Sequence, residues 1–335
     1  MASDTRAKLF LAGRMFFAAF VLAVLFYYAG SAEVLQLLLS ADLLYVTLLM
    51  LITVPMIWVS CLKWQLFISA CGHRVSIYRL MHLYTMGYFF NVFMPSSVGG
   101  DVLRGYHLGK HLGSQEDGMV TTFLERFTGL LAMALLGVVF VSLGSQATAG
   151  AEVAILLVGV GAGLLSCFCF SHICRSLMVS VALWFSRLSG SSRLEALILK
   201  LLTRVDAAME LTRGKPGLFS KAMILSLAFH MMTIVNTYLA CRVIGWNDPD
   251  LAGLFVIVPL VLLVSMVPLT PNSLGIQEGA FSFFLQRIGG TASEAFGVGI
   301  ILRVKVMLIA LIGGLVWVLY RRGDKNNEAP IEESA

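Results

Sequence analysis

Charge is scarce in this sequence. Aspartate, glutamate, lysine and arginine supply only 13% of its 335 residues, about half their share in ordinary soluble domains. A chain so poor in charge cannot cover itself with a solvated surface. Cysteine is sparse too: there are six, with no C-x-x-C pair, and Cys167, Cys169 and Cys174 cluster at the end of an apolar run. That pattern excludes a zinc ribbon or disulfide framework and leaves thiols that pack as small hydrophobes. Nucleophile elbow, Walker loop and H-E-x-x-H helix are all missing. His107 and His111 have metal-compatible spacing but lack the glutamate and a third ligand, so no metal is expected. Gly159, Gly161 and Gly163 follow no strand, which leaves close helix packing rather than a nucleotide loop. The net charge of +5 includes no basic stripe interleaved with aromatics, so nucleic acid is not an expected partner. Neither enzymatic chemistry nor a cofactor is expected.

What the sequence has is apolar length. Fifty-eight percent of it is hydrophobic, and several runs reach or approach the roughly 20 residues a helix needs to cross a bilayer. The candidate spans are 12–30, 43–62, 119–143, 153–171, 222–241, 251–268 and 298–320, and two more apolar segments, 80–94 and 276–286, are too short to span. The first run follows Arg6, Lys8 and Arg14 but has no small-residue cleavage site, so it reads as an uncleaved span. Segment 172–217 carries seven lysines and arginines whereas 29–42 and 144–152 carry none. The positive-inside rule then places that segment and both chain ends in the cytoplasm. Within it Leu194, Leu197, Ile198, Leu201, Leu202, Val205 and Met209 share one helical face, as in a helix lying on the inner leaflet or on the protein's own cytoplasmic face. Tryptophans 58, 64, 184, 246 and 317 fall mostly near span ends, as interfacial anchors do.

A repetition organises the rest. Pro95-Ser96-Ser97-Val98-Gly99 recurs as Pro271-Asn272-Ser273-Leu274-Gly275, displaced by 176 residues. An acid follows each copy, Asp101 and Glu278; an arginine follows 27 residues after Gly99 and 28 after Gly275, as Arg126 and Arg303. Paired breaks of this kind mark transporters built from two structural repeats. The expected fold is therefore an all-α polytopic membrane protein of about seven to eight transmembrane helices plus two re-entrant or broken helices. Residues 1–322 form a single membrane domain, with halves 10–171 and 218–320 joined by 172–217, and 323–335 form a disordered cytoplasmic tail.

Irregular backbone at membrane depth must be buried in protein or line a wet cavity. Proline ends one helical run, serine caps the next, and glycine admits close approach of backbone or ligand. A new helix start there aims free N–H groups and a positive dipole end inward, suiting a phosphate oxygen. The candidate substrate-binding residues are Asn91, Pro95, Ser96, Ser97, Gly99, Gly100, Asp101, Arg104, Glu125, Arg126, Pro271, Asn272, Ser273, Gly275, Glu278 and Arg303. Arg104, Arg126 and Arg303 are expected to hold an anionic headgroup, with Asp101, Glu125 and Glu278 balancing charge or coupling to protons. A structural ion-pair network is the competing reading of the same residues. His230 and Asn236, inside a span, are expected to make interhelical hydrogen bonds.

The ordered stretches NVFMPSSVGGDVLRGYHL, TTFLERFTGLL and PLTPNSLGIQEGAF resemble the lysylphosphatidylglycerol synthase transmembrane region, or flippase-like domain family, over about residues 10–320. In synthases of that kind the membrane domain precedes a soluble aminoacyltransferase domain, and none is seen here. The resemblance thus implies translocation of an anionic phospholipid, glycolipid or polyprenyl-phosphate-linked lipid across the cell inner membrane. It also brings in relatives tied to hopanoid or glycolipid pathways. The alternative is an accessory subunit that presents lipid to a lipid-modifying enzyme or glycosyltransferase.

Overall fold

A computed structural model describes residues 20, 23, 27, 31–93, 99–142, 180, 183, 215–266 and 270–327. All of its regular elements are helical. They are α1 (Ser31–Leu39), α2 (Leu43–Leu51), α3 (Thr53–Ala70), α4 (Ile77–Phe93), α5 (Gly99–Leu112), α6 (Gln115–Ser142), α7 (Pro216–Val243), α8 (Leu251–Ser265), a 3-10 turn (Pro271–Ser273), α9 (Ile276–Leu285) and α10 (Ala292–Asn327). A further short 3-10 turn, Gln286–Ile288, follows α9.

Among the described residues four helical stretches are long and apolar enough to cross a membrane: Leu43–Ala70, Gln115–Gly137, Gly217–Val243 and Ala292–Leu319. They coincide with four of the runs expected from hydropathy. The candidate at 251–268 differs. It is the 15-residue helix α8, short of the roughly 20 residues a span requires, because the chain leaves the helix ahead of the Pro271 turn. The runs 12–30 and 153–171 and segment 172–217 lie outside the described residues or almost wholly so; of the tail expected at 323–335, residues 323–327 continue α10 as helix and the rest lie outside the described residues.

Local chemistry fixes where these helices begin. Asp42 accepts a hydrogen bond from Leu44 N (2.8 Å) and Asp250 from Ala252 N (3.0 Å), each satisfying a backbone donor that the first helical turn leaves without a partner. Thr291 and Glu294 cap α10 reciprocally, the arrangement of a capping box. Leu43–Ala70 is interrupted at Ile52, three residues before Pro55, which has no N–H to continue the ladder.

The short helices are held inside the bundle by glycine. α4 and α5 pack as a hairpin in which a methyl group on Gly100 would sit 2.1 Å from the Gly87 carbonyl oxygen. The same hairpin packs on α10, where a methyl on Gly313 would lie 2.1 Å from the Thr85 carbonyl. No side chain larger than hydrogen fits at either contact. The Pro271–Ser273 turn packs against α4, so the second interruption meets the first hairpin directly. The largest core cluster joins α7, α8, α9 and α10 through Ile257, Val261, Phe281, Phe284 and Leu302. A second joins α3, α4 and α5 around Trp64, Ile68, Leu80 and Leu108. Trp64 is completely buried in it, not at an interface; it forms one wall of the charged site.

Candidate functional site

Apolar helices supply the walls of this site, and buried charges fill it. α5 begins at Gly99, and its early amide Gly100 N donates to Asn91 Oδ1 at 2.8 Å, so the end of α4 caps the start of α5. The next residue, Asp101, accepts from Arg126 Nη2 at 2.6 Å and lies 3.1 Å from Arg104 Nε. Arg104 reaches across to α6 and donates to Glu125 through Nη2. Its guanidinium is also stacked between two rings, 4.4 Å from the centre of Tyr84 and 4.8 Å from that of Trp64. Glu125 presents its other oxygen to Lys63 Nζ at 3.2 Å, and Lys63 donates in turn to Ser226 Oγ at 3.2 Å. One continuous network thereby ties α3, α5, α6 and α7 together. Arg104 is 1% exposed. At that depth each charge needs its partner, because an isolated ion in a low-dielectric interior costs several kcal/mol.

The second interruption is built differently. Asn272 and Ser273 both have left-handed backbones (φ 48° and 52°), which turns their carbonyl groups toward Arg303. Arg303 donates to Asn272 O at 3.0 Å and to Ser273 O at 3.3 Å, and it contacts Gln277 Oε1 at 3.4 Å. Its Nε donates to Glu278. The second oxygen of Glu278 accepts from Gly275 N at 2.7 Å, closing the start of α9. Buried carbonyl groups must find donors; Arg303 meets that need for Asn272 and Ser273, while the Thr270 and Pro271 carbonyls accept from Ser273 N and Leu274 N. Gly275 has φ +81° and ψ −37°, a conformation closed to residues with a side chain.

Between these two clusters lies a cavity of about 520 Å³, within the range of small-molecule sites. Its walls are mostly apolar, including Met56, Phe127, Leu262 and Phe281, while Lys63, Glu125, Arg126 and Lys305 bring charge to it. Three cations against a single carboxylate leave an excess of positive charge. Arg126 is the accessible member: its side chain is 50% exposed, against 7% for Arg303. Lys305 is 5% exposed and donates to Asn236 Oδ1 on α7; among the described residues it makes no ion pair. His230 Nε2 bonds to the Gly129 carbonyl at 2.9 Å, and because a carbonyl only accepts, that nitrogen carries the proton. Both span residues, His230 and Asn236, thus make interhelical bonds.

The residues singled out from the sequence divide into four groups. Glu125 and Arg126 line the cavity. Asn91, Gly99, Gly100, Asp101 and Arg104 gather at the α4–α5 hairpin behind its wall, and Pro271, Asn272, Ser273, Gly275, Glu278 and Arg303 at the turn before α9, none of them on the cavity surface. Pro95, Ser96 and Ser97 lie outside the described residues. Arg104 and His111 lie on the same helix in different surroundings: Arg104 is interior, whereas His111 sits beside Arg79 at 2.9 Å near the end of α5. Sequence reasoning passed over Lys63. Its span was drawn to end at 62, although Phe67 and Ile68 continue the apolar run past a lone lysine.

Residues 9–314 match the family described as the lysylphosphatidylglycerol synthase TM region. Two curated relatives are both UPF0104 membrane proteins of Methanothermobacter thermautotrophicus. One is 20% identical over 319 residues, covering 90% of each chain; the other is 23% identical over 308 residues, covering 87% of this chain and 90% of the relative. No solved structure matches. The family match spans nearly the whole chain, with the buried acid and base residues inside it, and the protein is a membrane protein of the lysylphosphatidylglycerol synthase transmembrane-region family.

Proposed function

We propose that this protein carries an anionic phospholipid, glycolipid or polyprenyl-phosphate-linked lipid between the leaflets of the cell inner membrane, with both chain ends in the cytoplasm. The observation that carries this reading is the cavity whose charged walls hold Lys63, Arg126 and Lys305 against Glu125 alone. Charges at membrane depth are costly and mark substrate pathways. An oily cavity with excess positive charge suits a headgroup that is anionic and remains attached to apolar chains, which can stay in lipid.

The two-halves architecture belongs to the same proposal. α5 and α9 begin 177 residues apart, as do α6 and α10, and the ion pairs Asp101–Arg126 and Glu278–Arg303 each close over 25 residues. Catalysis has no part in this reading, since the buried acids are taken up by arginine and lysine. The test is exchange of tail-labelled phosphatidylglycerol in vesicles containing the purified chain. Wild type should equilibrate label between leaflets, and Lys63→Met with Arg126→Gln should slow it at least tenfold. Retention of anionic lipid without any exchange would support a lipid-presenting subunit instead.

A further inference from the structure

Two lysines reach the cavity from different helices, and each is tied to the same face of α7. Lys63, on α3, donates to Ser226; Lys305, on α10, donates to Asn236. Ten residues separate those α7 partners, which is about 15 Å along a helix axis and about half the hydrocarbon thickness. Between them His230 and Thr233 also line the cavity. Positions 226, 230, 233 and 236 recur at helical spacing, so α7 presents a continuous polar stripe with a cation at each end.

The two ends differ in chemistry. At the Lys63 end Glu125 compensates the charge and Arg126 adds an accessible guanidinium. At the other end Lys305 has one amide oxygen and no carboxylate within ion-pair distance among the described residues. Its bond to Oδ1 also fixes the Asn236 amide, whose Nδ2 donors then point away from the ammonium. A lysine ammonium has three donors, so two remain at Lys305 Nζ.

Resting on the functional reading above, we infer that the cavity binds its phosphate group at two stations of different depth, Lys63 with Arg126 and then Lys305 with Asn236, and that passage along α7 between them is the translocating step. One deep cationic site would hold an anion fast. Two weaker ones let it enter and leave, as in ion pathways where occupancy shifts between neighbouring sites. The stripe between them is polar enough to keep water beside the headgroup, which an apolar wall would not.

The two-station arrangement separates binding from movement. The full chain is reconstituted in phosphatidylcholine vesicles with tail-labelled phosphatidylglycerol, and lipid retained by the purified protein is weighed by native mass spectrometry. Lys305→Met should keep its retained phosphatidylglycerol within twofold of wild type and lose leaflet exchange at least tenfold. Lys63→Met should lose both, and Lys305→Arg should restore exchange. Lys305→Gln is carried in parallel, so that one folded variant, verified by gel filtration, decides the matter. A parallel arm follows inorganic phosphate entering the same vesicles: flux of phosphate with no lipid exchange keeps the two stations but makes the ligand a free anion and overturns the lipid reading. If wild type exchanges lipid and the Lys305 variants match it, or lose retained lipid in step with Lys63→Met, the second station is refuted while the functional reading survives. A wild type that retains no anionic lipid and moves neither probe sinks both.

Discussion

Replacing Glu125 by glutamine tests the buried network at its central point. The side chain keeps its shape and loses its charge, leaving Lys63 and Arg104, 3% and 1% exposed, without the carboxylate they share. Arg104 retains Asp101 at 3.1 Å. Among the described residues Lys63 retains no carboxylate, with the Ser226 hydroxyl as its neutral partner. Two unit charges about 4 Å apart interact by roughly 4 kcal/mol at an effective dielectric constant near 20, and breaking a buried pair by removing one partner costs about 3–5 kcal/mol. Glu125→Gln should therefore destabilise the bundle by about that amount, read as a shift in detergent-titrated unfolding. Adding Lys63→Met removes the stranded cation, so the double variant should recover about 2 kcal/mol relative to the sum of the single effects, a coupling of the size expected for residues in direct contact. If Glu125→Gln unfolds within about 0.5 kcal/mol of wild type, as a change at an uninvolved surface position would, Glu125 does not sit between these two bases. Additive losses in the double variant would refute the pairing with Lys63 specifically.

Three more substitutions have outcomes fixed by geometry. Gly100→Ala places a methyl 2.1 Å from Gly87 O and 2.7 Å from Asn91 Oδ1; overpacking of this kind costs about 1–3 kcal/mol, and proteolysis of the α4–α5 hairpin should accelerate accordingly. Gly275→Ala forces a side chain into φ +81°, which should cost about 1–3 kcal/mol in the same unfolding assay, whereas Gly217→Ala, with open space around it, should be nearly silent. Arg126→Gln, at a half-exposed side chain, should alter stability by no more than about 1 kcal/mol while lowering phosphatidylglycerol retention at least fivefold; unchanged retention would remove Arg126 from the ligand site.

Hydropathy made the runs 43–62, 119–143, 222–241 and 298–320 legible, each overlapping a helical stretch long enough to cross a membrane, because transfer from water to lipid is additive along a chain. The acid and arginine partners were legible too: Asp101 with Arg126 and Glu278 with Arg303 follow each break at matching distances. What hydropathy cannot supply is the rotation of each helix about its axis, which packing decides. Hence Lys63 went unnoticed though it lines the cavity, and Trp64, expected at an interface, turned inward beneath Arg104. Lys305 meets Asn236, 69 residues away in sequence. Such a contact has no local signal. Arg104 was expected to face ligand, and nothing in its sequence neighbourhood records the Tyr84 ring that covers it.

The contrast between Arg126 and Arg303 follows from what the two breaks ask of their arginines. A guanidinium has five donors in a fixed fork. At the second break the left-handed residues Asn272 and Ser273 direct two carbonyls at Arg303, and Gln277 and Glu278 take up two more of its donors. Four of the five donors are thus engaged within the protein, and the side chain is 7% exposed. Arg126 has Asp101 and an otherwise accessible face on the cavity, because Asn91 already caps the start of α5 and Arg104 stands between Asp101 and Glu125. Two arginines at equivalent spacing thus serve different ends. Arg303 keeps an interrupted helix closed, and the corresponding labour at α5 is divided among Asn91, Arg104 and Gly100, which is what leaves Arg126 with an exposed face on the cavity.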